Sequence, residues 1–137
     1  MKTLEYVRAE DQLPDQATPP GGELDPLSLI GTWVASDKQS TGVVRLEVTE
    51  RDGALFVQVF GADPAEPYDW GEAVATTFGT GVTSVAAMAF TAVFDFGFLV
   101  TVLAAQAGQG ILTLDTFNTF TDSSGRSNYC SREFFHR

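Results

Sequence analysis

The chain has one cysteine, one histidine and few basic residues, and each scarcity removes a class of function. Cys130 alone cannot close an intramolecular disulfide, and no cysteines or histidines stand in pairs at zinc-ligand spacing, so no metal is expected. His136 sits next to the carboxyl terminus, where chains fray. A Ser-His-Asp hydrolase would have to build its centre at that end, and a hydrolase is set aside on this ground. Eight Lys and Arg face eighteen Asp and Glu, a net charge of −10, and the bases Lys38, Arg45, Arg51, Arg126 and Arg132 are scattered singly. Phosphate backbones are held by clustered bases. Nucleic acid is therefore excluded as a partner, and the acidity serves to keep an apolar-rich protein soluble.

Long apolar runs are missing as well. No stretch reaches the roughly 20 apolar residues of a membrane span, and Met1–Arg8 lacks the uninterrupted apolar core of a secretion signal. No membrane partner and a cytoplasmic location are expected. There is no Gly-x-Gly-x-x-Gly after a strand and no Gly-x-x-x-x-Gly-Lys loop. Gly79-Thr80-Gly81 is turn glycine, and no cofactor is expected. At 137 residues the chain has room for one domain, not for a cofactor domain with a separate substrate domain.

What remains is the composition of a protein of many short strands: 44% hydrophobic residues, eleven Phe, and thirteen Gly and six Pro spaced as turn punctuation. Residues 1–26 carry six acids, two bases and four prolines, the composition of an extension with no core of its own. This segment is expected to be either a lid, with Leu4, Tyr6 and Val7 capping a barrel mouth, or a contact with another subunit. Residues 27–137 form the β domain. Its strands are predicted at 31–36, 42–51, 54–61, 72–78, 85–94, 96–106, 110–120 and 127–136. Asp52-Gly53 is a strong hairpin signal, because a type I′ turn needs positive φ at both central positions. Gly108-Gln109-Gly110 and Asp122–Gly125 serve the same end. Only Leu24–Ile30 resembles a short helical turn, with Asp25 as cap and Pro26 at the first position.

Alternation sets the faces. Val44, Leu46 and Val48 alternate with Arg45, Glu47 and Thr49, and Leu112 and Leu114 with Thr113 and Asp115, so one face is dry and one wet. Two neighbouring runs, 85–94 and 96–105, are apolar on both faces, and the second face needs cover. The expected solution is an all-β, eight-stranded antiparallel up-and-down barrel around an oily lumen. The opposite side, Ala87, Ala89, Thr91 and Val93, is small enough to pack against a second copy in a homodimer. An eight-stranded barrel is either filled by its own side chains or holds one small ligand.

A short turn leading into Gly31-Thr32-Trp33 and then an eight-strand meander resembles the calycin superfamily of lipocalins, fatty-acid-binding proteins and avidins. The resemblance covers the architecture from about residue 24 onward and three residues of motif. It implies that Trp33 closes one end of the barrel beneath an arginine near the last strand, Arg132 or, as the second choice, Arg137. It also implies a ligand cavity. The chain departs from secreted lipocalins in lacking their cysteines and their Thr-Asp-Tyr loop, since Ser123 follows Thr121-Asp122. A looser similarity, in shape alone, is to the small β-barrel cyclases of natural-product biosynthesis, the spirotetronate-forming Diels–Alderases among them.

Candidate site residues follow from that architecture. Gln58 between Phe56 and Phe60 is expected in the lumen, an amide amid aromatics, and with Tyr129 it is the expected catalytic pair. Tyr68 and Trp70 follow the proline-punctuated loop 62–68 and offer an aromatic wall at the mouth, with anchoring of the loop as the alternative for Trp70. Met88, Phe90 and Phe94 share one side of the fifth strand and line the pocket. Asp95, Asp115 and Glu133 lie within or between apolar strands, where desolvation raises a carboxyl pKa. Their alternatives are a turn for Asp95 and exposed strand positions for the other two. Two functions remain in view for the same hydrophobic small molecule. One is a cofactor-free cyclase or isomerase that works by holding its substrate in reacting geometry; the other is a non-catalytic binder or carrier.

Overall fold

The computed structural model describes residues 24–137 and contains eight antiparallel strands, each paired with its sequence neighbour and the last with the first, so that the sheet closes into a barrel. The strands are β1 Gly31–Ala35, β2 Val43–Arg51, β3 Ala54–Gly61, β4 Tyr68–Phe78, β5 Ala89–Asp95, β6 Leu99–Gly108, β7 Ile111–Phe120 and β8 Tyr129–His136. The proposed lid residues Leu4, Tyr6 and Val7 lie outside the described residues. Among the described residues there is no helix; residues 27–29 make one hydrogen-bonded turn, with Leu29 N–H donating to the Pro26 carbonyl and Leu27 N–H to Asp25 Oδ1.

Turn chemistry places the strands. Asp52 and Gly53 have φ of 51° and 81°, and Gln109 and Gly110 have 53° and 80°, the positive pairs that a two-residue hairpin requires. Alternation then sends Leu46 and Val48, Leu55, Val57 and Val59, Phe90 and Ala92, Leu103 and Ala105, and Leu112 and Leu114 inward, where all are buried. Burial of each large side chain contributes about 1.5–3 kcal/mol.

One end of the barrel is closed. Trp33 is fully buried there, its indole N–H donating to the Leu29 carbonyl at 2.9 Å. The Arg137 guanidinium lies 4.4 Å from the Trp33 ring centroid and donates to the Ile30 carbonyl. Arg132, the first choice for that position, instead points outward from β8 and grips Asp115 with two hydrogen bonds of 2.7 and 3.2 Å. Arg132 falls on the outward phase of β8, whereas Arg137 follows the strand and is free to fold back over the end. The guanidinium hydrogen bond holds the Asp115 carboxyl below the usual carboxylate range, so Asp115 is a half-exposed, paired strand acid whose partner outweighs the desolvation it suffers.

The fifth strand starts later than its hydrophobicity predicts. Residues 85–87 leave the barrel ladder, which Met88 rejoins by donating to the Phe78 carbonyl and accepting from the Ala107 N–H; Ala86 bridges Asp25 in parallel while Asp25 N–H donates to the Val85 carbonyl. Ala87 is consequently fully buried, its carbonyl accepting from Ser28 Oγ, and is not part of an outer packing face with Ala89, Thr91 and Val93.

Candidate functional site

The inner face changes character along the barrel axis. On β7 the inward positions run Leu112, Leu114, Thr116, Asn118; on β6, Ala107, Ala105, Leu103, Thr101; on β8, Phe135, Glu133, Ser131. The half nearest Trp33 is thus filled by apolar side chains and the opposite half is lined with hydroxyls, an amide and one carboxylate. The filled half corrects the expectation of an oily hollow running through the barrel. What stays open is a cup of about 290 Å³ at the mouth, bounded by Trp70, Phe96 and Leu99 on one side and Thr101, Asn118 and Ser131 on the other.

Two larger concavities lie outside the lumen: one of about 490 Å³ over β5–β7, lined mainly by side chains that alternation sends outward, and one of about 530 Å³ beside the β1–β8 junction, lined mainly by the loop after β1 and sharing Thr41 and Glu133 with the mouth.

The aromatic wall is built by a bulge. Val59 pairs with Gly71 and Phe60 with Asp69, which leaves Trp70 as an extra residue in β4. Gly71 takes φ of 95°, and its N–H is held by Asp69 Oδ1 at 2.8 Å. Without the bulge Trp70 would share the outward phase of Glu72 and Val74; with it the indole swings over the mouth. There it meets Phe94 and Phe96 edge-on at 5.8 and 5.4 Å, while those two rings stack at 6.3 Å. Gly61 makes the indole's position possible, since a Cβ on it would stand 2.6 Å from Trp70 Nε1.

These rings also span a parting in the sheet. β4 and β5 pair only through Thr76–Phe78 and Ala89–Thr91. β1 and β8 pair only at Val34–Ala35 with Phe135–His136, and beyond them the loop after β1 crosses β8 through Ser40 Oγ, which donates to Glu133 Oε2 at 2.5 Å.

The polar wall is a cross-strand network. Thr101 Oγ1 donates to Asn118 Oδ1 at 2.7 Å, Asn118 Nδ2 reaches Thr116 Oγ1 and the Tyr129 carbonyl at 3.4 and 3.5 Å, and Thr116 and Ser131 share a hydroxyl bond of 2.5 Å. Thr101 and Asn118 are directly opposed on β6 and β7, as are Thr116 and Ser131 on β7 and β8. Because Thr101 is fully buried, replacing it with valine strands the Asn118 carbonyl. Thr101→Val is expected to lower unfolding free energy by about 1–3 kcal/mol in urea titrations. Thr119→Val, on the exposed face of β7, is expected to stay within about 0.5 kcal/mol of the parent.

The expected site residues divide. Trp70 and Tyr129 both line the cup, Tyr129 at its rim with its ring 6.2 Å from Phe120. Phe94 supports Trp70 from beneath. Phe90 is fully buried in the filled half, and Met88 is half-buried ahead of β5. Tyr68 begins β4 exposed and away from the cup.

Gln58, Phe56 and Phe60 are corrected from lumen to outer face. The Asp52-Gly53 turn puts Leu55, Val57 and Val59 inside, Gln58 Nε2 donates to Asp69 Oδ2, and Phe56 and Phe60 lie beneath the guanidinium groups of Arg51 and Arg45. Asp95 ends β5 in a turn and accepts the Gly97 N–H. Sequence reasoning missed Thr101, Thr116, Asn118 and Ser131. Their signal was the switch from leucine to hydroxyl and amide along the inward phase of β7.

Among the described residues no three His, Cys, Asp or Glu side chains stand together as a metal-holding group, and Cys130 is exposed on the outside of β8. No helix of the described residues is long and apolar enough to cross a membrane. No protein-family model, no curated protein and no solved structure matches the chain.

Proposed function

We propose that the chain binds a small amphipathic molecule in the mouth cup, its apolar body against Trp70 and Phe96 and its polar edge against Ser131 and Glu133, behind which the buried Thr101–Asn118–Thr116 network holds the wall. The observation that carries this reading is the division of the inner face: it is apolar where the barrel is packed solid and turns polar towards the cup at the mouth. Most ligand pockets combine aromatic walls with a few oriented polar groups, and a cup of about 290 Å³ has the capacity for a small metabolite. The closed barrel with Trp33 beneath Arg137 supports a calycin-like ancestry as part of the same reading.

A second reading, a cofactor-free cyclase or isomerase, is favoured by one observation. Glu133 and Tyr129 bring a carboxylate and a phenol to the same cup, groups able to take and return a proton. Native mass spectrometry of gently purified protein is expected to show a retained small molecule, and the neutral dye N-phenyl-1-naphthylamine is expected to bind saturably and more weakly to Trp70→Ala. Absence of saturable binding sinks the proposal. Incubating the retained molecule with substoichiometric protein separates the two readings: a binder returns it unchanged, and an enzyme converts many equivalents.

A further inference from the structure

We infer that the ligand is cationic: a small amine carrying an aromatic or otherwise apolar body. This rests on the mouth cup being the binding site and adds the charge of what enters it. Among the described residues Glu133 is the only charged side chain lining the cup. It forms no ion pair among the described residues, and its hydrogen-bond partner there is the Ser40 hydroxyl on Oε2.

A carboxylate offers about four acceptor positions, and a single hydroxyl leaves most of them for a ligand. Gly42 leaves the carboxylate room to lie there, because a Cβ on that residue would stand 2.4 Å from Glu133 Oε1. Facing it, Trp70, Phe96 and Tyr129 present rings, the surfaces on which ammonium groups are held. Each element of the cup that bears charge or a quadrupole therefore favours a positive guest.

The basic side chains confirm the asymmetry by where they are. The described arginines are engaged elsewhere: Arg45 over Phe60, Arg51 with Glu72, Arg126 with Asp122, Arg132 with Asp115 and Arg137 over Trp33. None of them lines the cup, so among the described residues a carboxylate guest such as a fatty acid finds no counter-ion there. The net charge of −10 adds a long-range field that concentrates cations and repels anions at low ionic strength.

The test uses three probes of one shape, 2-phenylethylamine, 2-phenylethanol and 3-phenylpropionate, titrated calorimetrically at low salt. The amine is expected to bind at least about tenfold more tightly than the alcohol, and the carboxylate more weakly than either. Glu133→Gln, which keeps an oxygen for Ser40 and nearly the same shape, is expected to erase the preference for amine over alcohol. Equal binding of amine and alcohol, or a preference that survives Glu133→Gln, overturns the inference while leaving the cup as the binding site. If no probe binds and none displaces N-phenyl-1-naphthylamine, the inference falls; if the dye itself fails to bind, the site falls with it.

Discussion

Trp33→Ala is expected to lower the unfolding free energy by about 3–5 kcal/mol, the range for removing a fully buried aromatic from a packed core. Domains of this size are held by only about 5–15 kcal/mol in total, so the variant would sit near the edge of folding. Three contacts end at once. The ring leaves a cavity at the closed end, the buried Leu29 carbonyl loses its indole donor, and Arg137 loses the surface it covers.

Trp33→Phe separates these effects. It restores most of the ring but not the N–H, and an unpaired buried acceptor costs about 1–3 kcal/mol. Urea unfolding of both variants, followed by far-ultraviolet circular dichroism, gives the two values. A cost under about 1 kcal/mol for Trp33→Ala would show that the turn at 27–29 and Arg137 close the barrel without the indole.

The closure of the barrel was legible because its signals are local. Strict alternation in β2 and β7 and the glycine turn at Asp52-Gly53 set strand direction and phase, and phase decides which side chains meet inside. The site was less legible because it depends on departures from that regularity. Trp70 faces the cup only through an extra residue that shifts its phase, and the Asp-Trp-Gly triplet behind that shift also suits an ordinary turn. Gln58 illustrates the converse. Its aromatic neighbours made it look buried, but Phe56 and Phe60 are covered from outside by arginines, a cover that local hydrophobicity does not reveal.

Residues 85–87 show a third limit. Their apolarity continues that of β5, but the partner that takes them out of the barrel ladder is Asp25, some sixty positions earlier in the chain. Thr116 and Asn118 were readable in principle, since they share the inward phase of Leu112 and Leu114. Their polarity invites assignment to the wet side, whereas their cross-strand hydrogen bonds with Thr101 and Ser131 are what let these buried polar groups stand on the inner one.

Gly61→Ala is expected to reduce binding in the cup by at least about tenfold while leaving the barrel folded, and the geometry says why the two effects separate. The added methyl would lie 2.6 Å from Trp70 Nε1 and 3.3 Å from Cε2, distances that a rigid indole satisfies only by moving. Phe94 and Phe96 pack edge-on against the ring, and Gly61, Trp70 and Phe96 all line the cup, so a shift of the indole alters the cup itself. Overpacking of this kind costs about 1–3 kcal/mol, and exchange of glycine for alanine within a strand recovers about 0.5–1 kcal/mol. Stability therefore falls by at most about 2.5 kcal/mol, less than the total that holds a domain of this size, whereas the space a ligand needs is taken by the protein's own side chain.

Titration with N-phenyl-1-naphthylamine measures the loss, and a shift in Trp70 emission, isolated in a Trp33→Phe background, reports the movement. Gly108→Ala, whose methyl would meet nothing within 4 Å at the opposite end of β6, is the control and is expected to bind as the parent does. Adding Trp70→Phe to Gly61→Ala relieves the clash, so the pair should show a non-additive stability of about 0.5–3 kcal/mol. Parent-like binding with unshifted emission in Gly61→Ala would mean that the indole does not form a wall of the site.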